Sequence, residues 1–281
     1  MRPPGEETFR ACADAVARTS SEHLGGRYVL YRGTPGKMHL FYLHGFASST
    51  QSTKAAWLAK RLQPLGYRLH CPDFNEPEFE TLTTSRMIGQ VDDAIARLPA
   101  GPVVLIGSSL GGFVAWHTAA RQPPAVARRS PISRLVLLAP ALDFGASRRM
   151  GDLGTEGINR WRETGHIEVF HHAFGETRRL EYGLYADAAR YDSFAVDTGP
   201  PTVIFQGRQD DAVDPAMVER FSRTRSYVEL HLLDDGHQLH DSLDTIWRQI
   251  ADFLGLEGRR DRRRARTVSG EKEAGPSGCS D

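Results

Sequence analysis

Residues 103–112 read VVLIGSSLGG, an apolar run that passes directly into a turn of glycine and serine. The next residues have the apolar spacing of a helix, so this segment predicts a strand, a sharp turn and a helix. Gly107 and Gly111 lack the Cβ atoms that would obstruct a close approach of the strand and the helix. We therefore predict a nucleophile elbow with Ser109, rather than Ser108, as the nucleophile. The alternative is a Gly/Ser turn that only joins the two elements.

Short apolar runs alternate with helical patterns on both sides of this segment. Such alternation is typical of a parallel sheet that is covered by helices on both faces. The predicted strands are residues 38–43, 67–71, 102–107, 134–139, 202–206 and 228–232, with 27–31 as a candidate edge strand. The predicted helices are residues 53–65, 85–98, 110–121, 215–223 and 241–254. The sequence therefore predicts an α/β fold with a mostly parallel central sheet.

Two stretches interrupt the alternation. Residues 145–200 show no clear strand-helix repeat, and because so long an interval usually has structure or function of its own, we interpret it as a small cap insertion. Residues 257–281 are rich in Arg and then in Gly, Ser and Glu, which predicts a disordered tail. Binding of this tail to an anionic surface or a nucleic acid is the alternative. The predicted organisation is an N-terminal extension over 1–26, a main domain over 27–256 that includes the cap, and the tail.

Composition limits the partners that we expect. The chain has 35 Lys and Arg against 35 Asp and Glu, and this balance gives no reason to expect a nucleic-acid partner. Cys12, Cys71 and Cys279 lack the spacing of a disulfide framework or a zinc site, which fits a reducing compartment. No apolar run approaches the roughly 18 residues of a transmembrane segment. We expect a cytoplasmic protein with a small-molecule substrate and no metal.

A nucleophilic serine needs a base, and the base needs an acid that orients it. His237 follows Gly236 directly after the last predicted strand. Asp210 is the first carboxylate in the loop after the strand at 202–206. Because loops at the carboxyl ends of parallel strands converge, we predict that Asp210 and His237 are the acid and the base. Asp143, at the end of the preceding strand, is the rival acid.

The oxyanion of a tetrahedral intermediate needs preorganised N–H donors. One donor is expected from the residue after the nucleophile, Leu110, and the second from Phe46 in the loop after the first parallel strand. Gly45 in that loop lets the chain approach a substrate closely. The side chain of His44 either holds the loop or contacts the substrate.

The predicted cap is richer in aromatic residues than the rest of the chain. Ligand pockets are mostly apolar and aromatic, so Trp161 and Phe170 are candidates for an acyl-binding pocket. The alternative is that these rings pack the cap onto the sheet.

These segments together resemble the α/β-hydrolase superfamily and, more narrowly, the small YqiA-like (YcfP-like) serine esterases. The likeness lies in YLHGFASS at 42–49, Ser52-x-Lys54-Ala55, GSSLGG at 107–112 and the loops of Asp210 and His237. The resemblance implies an α/β-hydrolase fold and carboxylester hydrolysis, with short acyl esters and acyl-CoA thioesters as substrates and no cofactor. It assigns no chemical step to Lys54, for which we consider an anionic substrate group or a solvated position at a helix start.

Other functions are compatible with the same residues. A thioesterase, an amidase or peptidase, or an acyltransferase would use the same triad. A protein of a different class would keep the fold and bind a ligand without hydrolysing it, but intact Ser109, Asp210 and His237 argue against that reading. A serine in place of an aspartate nucleophile argues against epoxide-hydrolase and dehalogenase chemistry.

Overall fold

The structure is a computed structural model that describes residues 38–145 and 153–256. The predicted edge strand at 27–31, the N-terminal extension and the Arg-rich tail lie outside the described residues. The described strands are β1 (His39–Leu43), β2 (Leu69–His70), β3 (Val103–Ser108), β4 (Ile132–Leu138), β5 (His166–His171), β6 (Glu176–Glu181), β7 (Thr202–Gly207) and β8 (Val228–Leu233). The helices are α1 (Thr53–Leu62), α2 (Thr84–Ala96), α3 (Leu110–Ala120), α4 (Pro124–Arg129), α5 (Gly154–Thr164), α6 (Gly183–Ala188), α7 (Pro215–Arg223) and α8 (Leu243–Leu254).

Six of these strands form one sheet in the order β2-β1-β3-β4-β7-β8. Every pairing in it is parallel, which confirms the predicted fold class. All six residues of β3 are buried, because the strand lies inside the sheet and helices cover both of its faces. No helix in the described part of the chain has the length and apolar character needed to cross a bilayer.

Alternate residues of the strands build two separate cores. Leu40 and Tyr42 of β1 belong to a core on one face of the sheet, which also contains residues of α1 and α8. Phe41 and Leu43 belong to the core on the other face, with residues of α2, α3 and α7. The period of two along each strand therefore divides the apolar side chains between two helical layers.

The segment predicted as a cap has regular structure that the sequence analysis did not find. It contains α5, an antiparallel hairpin of β5 and β6, and α6. The strand β6 reads ETRRLE, and only Leu180 in it is buried, so it lacks the apolar run of a core strand. The hairpin and α6 contact the main domain where Glu181 N donates to Glu80 O and Ser85 Oγ donates to Asp187 Oδ1.

Two further differences between the predicted and the observed helices involve proline. Residues 63–65, predicted as the end of the first helix, form a separate 3₁₀ turn that contains Pro64 and ends at Gly66 with φ of 78°. The short helix α4, which was not predicted, begins at Pro124, where the fixed φ of proline suits the first helical position.

The strand-helix approach predicted at the serine turn is very close. A Cβ atom built on Gly111 would lie 2.0 Å from the carbonyl oxygen of Leu43, and one built on Gly107 would lie 2.3 Å from the carbonyl oxygen of Gly111. Only glycine fits at these two positions without a backbone shift. The end of β1, the end of β3 and the first turn of α3 are thereby held together.

The substitution Gly111→Ala is expected to lower the free energy of unfolding by about 3 kcal/mol or more, because the new methyl group overlaps backbone rather than a flexible side chain. Gly89→Ala is the matched control, since it adds a methyl group to helix α2 with nothing within 4 Å. That control should stabilise the protein by ~0.5–1 kcal/mol. Urea unfolding measures both values, and equal stability of the two variants would contradict this role of Gly111.

Candidate active site

Ser109 lies between β3 and α3 in a strained backbone conformation. Its φ of 53° and ψ of −118° are unfavourable for a residue with a side chain. The amide of Ser109 donates to Leu138 O at 2.9 Å, and its carbonyl oxygen accepts from the amides of Gly112 at 2.9 Å and Ala141 at 3.2 Å. These bonds to β4, α3 and the loop after β4 hold the strained residue in place. The side chain remains half-buried at the carboxyl edge of the sheet.

The structure pairs the predicted base with the predicted acid. His237 Nδ1 donates to Asp210, with distances of 2.9 Å to Oδ2 and 3.0 Å to Oδ1. The Asp210 carboxylate is fully buried and also accepts from Val213 N and Gln206 Nε2, each at 2.8 Å. Burial by itself would raise the pKa of Asp210, but the hydrogen bonds from His237, Val213 and Gln206 outweigh it and the pKa is lowered. The carboxylate is thus kept ionised beside the imidazole.

Asp143, the rival acid, lies after β4 and is half-buried. Burial raises the pKa of its carboxyl group, the charge of Asp214 raises that pKa further, and the charge of Arg220 lowers it. Within the described ranges, no hydrogen bond joins Asp143 to His237. The geometry therefore favours Asp210.

The loops that carry the acid and the base are in direct backbone contact. A Cβ atom on Gly207, which ends β7, would lie 2.3 Å from Asp235 O and 2.6 Å from Gly236 O. The carboxylate of Asp235 accepts from Gly236 N at 2.8 Å and from Ser242 N at 3.0 Å, which fixes the turn before His237. Neither Gly207 nor Asp235 was among the site residues predicted from the sequence.

The loop after β1 lies against the serine turn. A Cβ atom on Gly45 would lie 3.3 Å from Ser108 O and 3.4 Å from Ser109 Cβ. Leu110 is the first residue of α3, so its amide has no acceptor within the helix. Among the described residues, neither the Leu110 amide nor the Phe46 amide donates to another protein group. Two N–H groups without an acceptor among the described residues therefore follow Ser109 and Gly45 in the chain.

His44 is buried, and both of its ring nitrogens bond to the backbone. Nδ1 donates to Gly45 O at 3.0 Å, while Nε2 accepts from Phe74 N at 3.0 Å. Of the two roles that the sequence left open, these contacts agree with holding the loop. The buried ring of His44 thus stabilises the conformation of the loop after β1.

A second buried histidine, His171 of β5, connects the cap to the same loop. His171 Nε2 donates to Asn75 Oδ1 at 3.0 Å, and Asn75 Nδ2 donates to Ser48 O at 2.9 Å. Burial lowers the pKa of His171, which favours the neutral ring. The sequence contains His171 next to His172 but gives no signal that one of the two is buried.

Trp161 and Phe170, the two residues predicted to line an acyl pocket, have other contacts in the structure. Trp161 is fully buried, and its indole Nε1 donates to Leu180 O at 3.1 Å, so it packs the cap. Phe170 is 54% exposed on the hairpin, with the ring of His172 as its neighbour at 5.4 Å. Neither set of contacts includes Ser109, and the burial and hydrogen bond of Trp161 agree with the packing alternative.

Lys54 is buried, which corrects the expectation of a solvated residue at a helix start. Its Nζ donates to Ser108 Oγ at 3.3 Å and to Gln238 Oε1 at 3.2 Å. Burial lowers the pKa of Lys54 to about 8, although Asp210 and Asp235 oppose this shift. One signal for burial was present, since Lys54 precedes the buried residues Leu58 and Leu62 at helical spacing of four.

The buried charge of Lys54 has a measurable effect on stability. Its pKa is lower in the folded protein than in the unfolded chain, so at alkaline pH the unfolded chain binds more protons and stability rises with pH. Relative to Lys54→Met, the unfolding free energy of the wild type should rise by about 1–2 kcal/mol from about pH 7.5 to about pH 9.5. Urea unfolding at each pH tests this, with Lys60→Met, an exposed lysine on the same helix, as the control. If the difference in unfolding free energy between the wild type and Lys54→Met did not change with pH, the Lys54 ammonium would be solvated.

Comparison with known families gives one broad match. The model of a family described as uncharacterised protein family UPF0227 matches residues 39–255. Among curated proteins, the chain is similar to the mitochondrial palmitoyl-protein thioesterase ABHD10 of Bos taurus, with 29% identity over 121 residues. That alignment covers 41% of this chain and 38% of the bovine protein, so the chain matches well under two thirds of the relative's length.

Solved structures share the fold at low sequence identity. A putative hydrolase from Agrobacterium vitis S4 superposes with a TM-score of 0.65 and 24% identity, over 78% of this chain and 90% of that chain. Alpha/beta hydrolase domain-containing protein 10 from mouse superposes with a TM-score of 0.61 and 18% identity, over 77% of this chain and 89% of that chain. The architecture described above is therefore an α/β-hydrolase fold.

Proposed function

Since this chain belongs to the uncharacterised protein family UPF0227 and has the α/β-hydrolase fold, we propose that it is a serine hydrolase that cleaves acyl esters through an acyl-enzyme on Ser109. The observation that carries the proposal is the hydrogen bond of 2.9 Å between His237 Nδ1 and the buried Asp210 carboxylate. It leaves the other ring nitrogen, Nε2, free to accept a proton from a serine.

In the proposed acylation step, Ser109 Oγ attacks the carbonyl carbon of the ester while His237 Nε2 takes the serine proton. The imidazolium that forms is stabilised by Asp210, whose lowered pKa keeps it negatively charged. Collapse of the tetrahedral intermediate breaks the bond to the alcohol, which leaves with the proton from His237. Water then attacks the acyl-enzyme with His237 as base and releases the carboxylic acid.

The negative charge of the tetrahedral intermediate needs donors that are already in place. The amides of Leu110 and Phe46 suit this role because they have no acceptor among the described residues and belong to the residues that follow Ser109 and Gly45, which lie close together. Gly45 supports the same role, since the chain between β1 and the serine turn passes close to Ser109 Cβ. His44 and Asn75 would keep this loop in position during turnover.

A fluorophosphonate probe, which reacts with activated serines, tests the proposal. We expect rapid labelling of the wild type and none of Ser109→Ala, because the nucleophile is absent. His237→Ala should lower the rate of p-nitrophenyl butyrate hydrolysis by about 10³-fold or more, and Asp210→Asn by roughly 10²–10⁴-fold. Mass spectrometry locates the adduct and a colorimetric assay gives the rates.

Two matched variants serve as controls for that experiment. Ser226→Ala removes an exposed serine away from the site, and Asp143→Asn removes the rival acid. Both should label and hydrolyse at about the wild-type rate. Labelling of Ser109→Ala at the wild-type rate would refute the nucleophile assignment. Loss of hydrolytic activity in Asp143→Asn, with full activity in Asp210→Asn, would show that Asp143 is the acid in place of Asp210.

Thioester hydrolysis is a second candidate, because the bovine relative is named as a palmitoyl-protein thioesterase. Esters and thioesters with the same acyl group form the same acyl-enzyme. Where hydrolysis of that acyl-enzyme limits turnover, the kcat values for the two substrates should agree within a few-fold. The test compares p-nitrophenyl esters with N-acetylcysteamine thioesters of the same acyl chains, with Ser109→Ala as the inactive control. Turnover of thioesters at least about 100-fold above that of the esters would replace the ester proposal with the thioesterase one.

A further inference from the structure

Burial of the charged side chain of Lys54 is unfavourable for the stability of the fold. Its side chain is 6% exposed and lies on the face of α1 that also carries Ala55, Leu58 and Leu62. Removing an ammonium group from water costs free energy that an apolar side chain of similar length would not cost. A methionine would therefore suit the packing of α1 better. The position of the charge indicates a role other than stability.

The two hydrogen bonds of Lys54 join the segments that hold the proposed nucleophile and base. Ser108, which accepts one of them, directly precedes Ser109, and Gln238, which accepts the other, directly follows His237. Lys54 thus contacts the sequence neighbour of each residue that takes part in the proposed reaction.

The sheet does not fix the distance between those two segments. Strands β3 and β8 are separated by β4 and β7, which is about 14 Å at three strand spacings of ~4.8 Å. The loops have to reach toward one another above the sheet edge. In the described part of the chain, no hydrogen bond runs directly between residues 107–111 and residues 235–239, whereas the Lys54 ammonium donates to a residue of each segment.

The groups that face Lys54 keep it in this position. The carboxylates of Asp210 and Asp235 attract the ammonium, but neither one accepts a hydrogen bond from it within the described residues. Behind Ser108, the Tyr42 hydroxyl accepts from Ser52 Oγ at 3.4 Å, where Ser52 caps α1. Lys54 is held by charge on one side and by the start of α1 on the other.

We propose that Lys54 is a positioning residue of the active site, whose ammonium group bridges Ser108 and Gln238 and thereby sets the separation of Ser109 and His237. This rests on the proposed function of those two residues. Lys54 itself does not touch the reacting atoms in this role. It acts on the rate of proton transfer between serine and histidine, which depends steeply on their geometry.

Kinetics of Lys54→Met, Gln238→Leu and the double variant test the bridge. We expect Lys54→Met to lower kcat for p-nitrophenyl butyrate by about 10²-fold, with KM changed by less than about threefold, because geometry and not binding is lost. Gln238→Leu, on an exposed residue, should also lower kcat. If Lys54 acts through Gln238, the double variant is no slower than Lys54→Met alone. Lys60→Met is the control and should match the wild type.

A measurement without substrate separates this proposal from the proposed function. The low-field proton resonance of His237 Nδ1–H, identified by its loss in His237→Ala, reports the Asp210–His237 pair directly. It should move or broaden in Lys54→Met and stay unchanged in Lys60→Met. An unchanged resonance together with a kcat equal to that of Lys60→Met would overturn the role of Lys54, and so would fully multiplicative losses in the double variant. Activity that persists in Ser109→Ala would instead overturn the proposed function.

Discussion

The contact between Gly111 and the last carbonyl group of β1 is the constraint on which the rest of the site depends. A side chain at that position would overlap Leu43 O, so α3 can begin directly above the sheet only because this residue is glycine. The same approach forces Ser109 into its positive φ and brings the loop of Gly45 against it. The positions of Ser109 and of the loop after β1 thus both depend on one close backbone contact.

The main architecture was predictable from the sequence because parallel strands buried on both faces have a simple signature. The runs at 102–107 and 202–206 are mostly apolar and flanked by Gly or Pro, and each lies within one residue of an observed strand. The Gly-x-Ser-x-Gly motif was also readable, since its glycines are required by local geometry. Local patterns of this kind do not depend on distant partners.

Other features depend on tertiary contacts that a pattern does not encode. In the hairpin of β5 and β6, the strand β6 has one buried apolar residue, Leu180, among charged and polar residues, so this strand lacks the apolar run that predicts a core strand. His171 and Lys54 hydrogen-bond to Asn75 and Gln238, which are distant from them in sequence. Trp161 is a further example, because an aromatic residue in such a segment suits a pocket and a packed core equally well before its neighbours are known.

The direct pairing of β4 with β7 has a consequence for how this family can diversify. The two strands are neighbours in the sheet although the whole insertion lies between them in the chain. An exchange of that insertion for one of another length would leave the register of the sheet intact, together with the turns that carry Ser109, Asp210 and His237. The segment between β4 and β7 can therefore be replaced in evolution without rebuilding the edge of the sheet at which those turns lie.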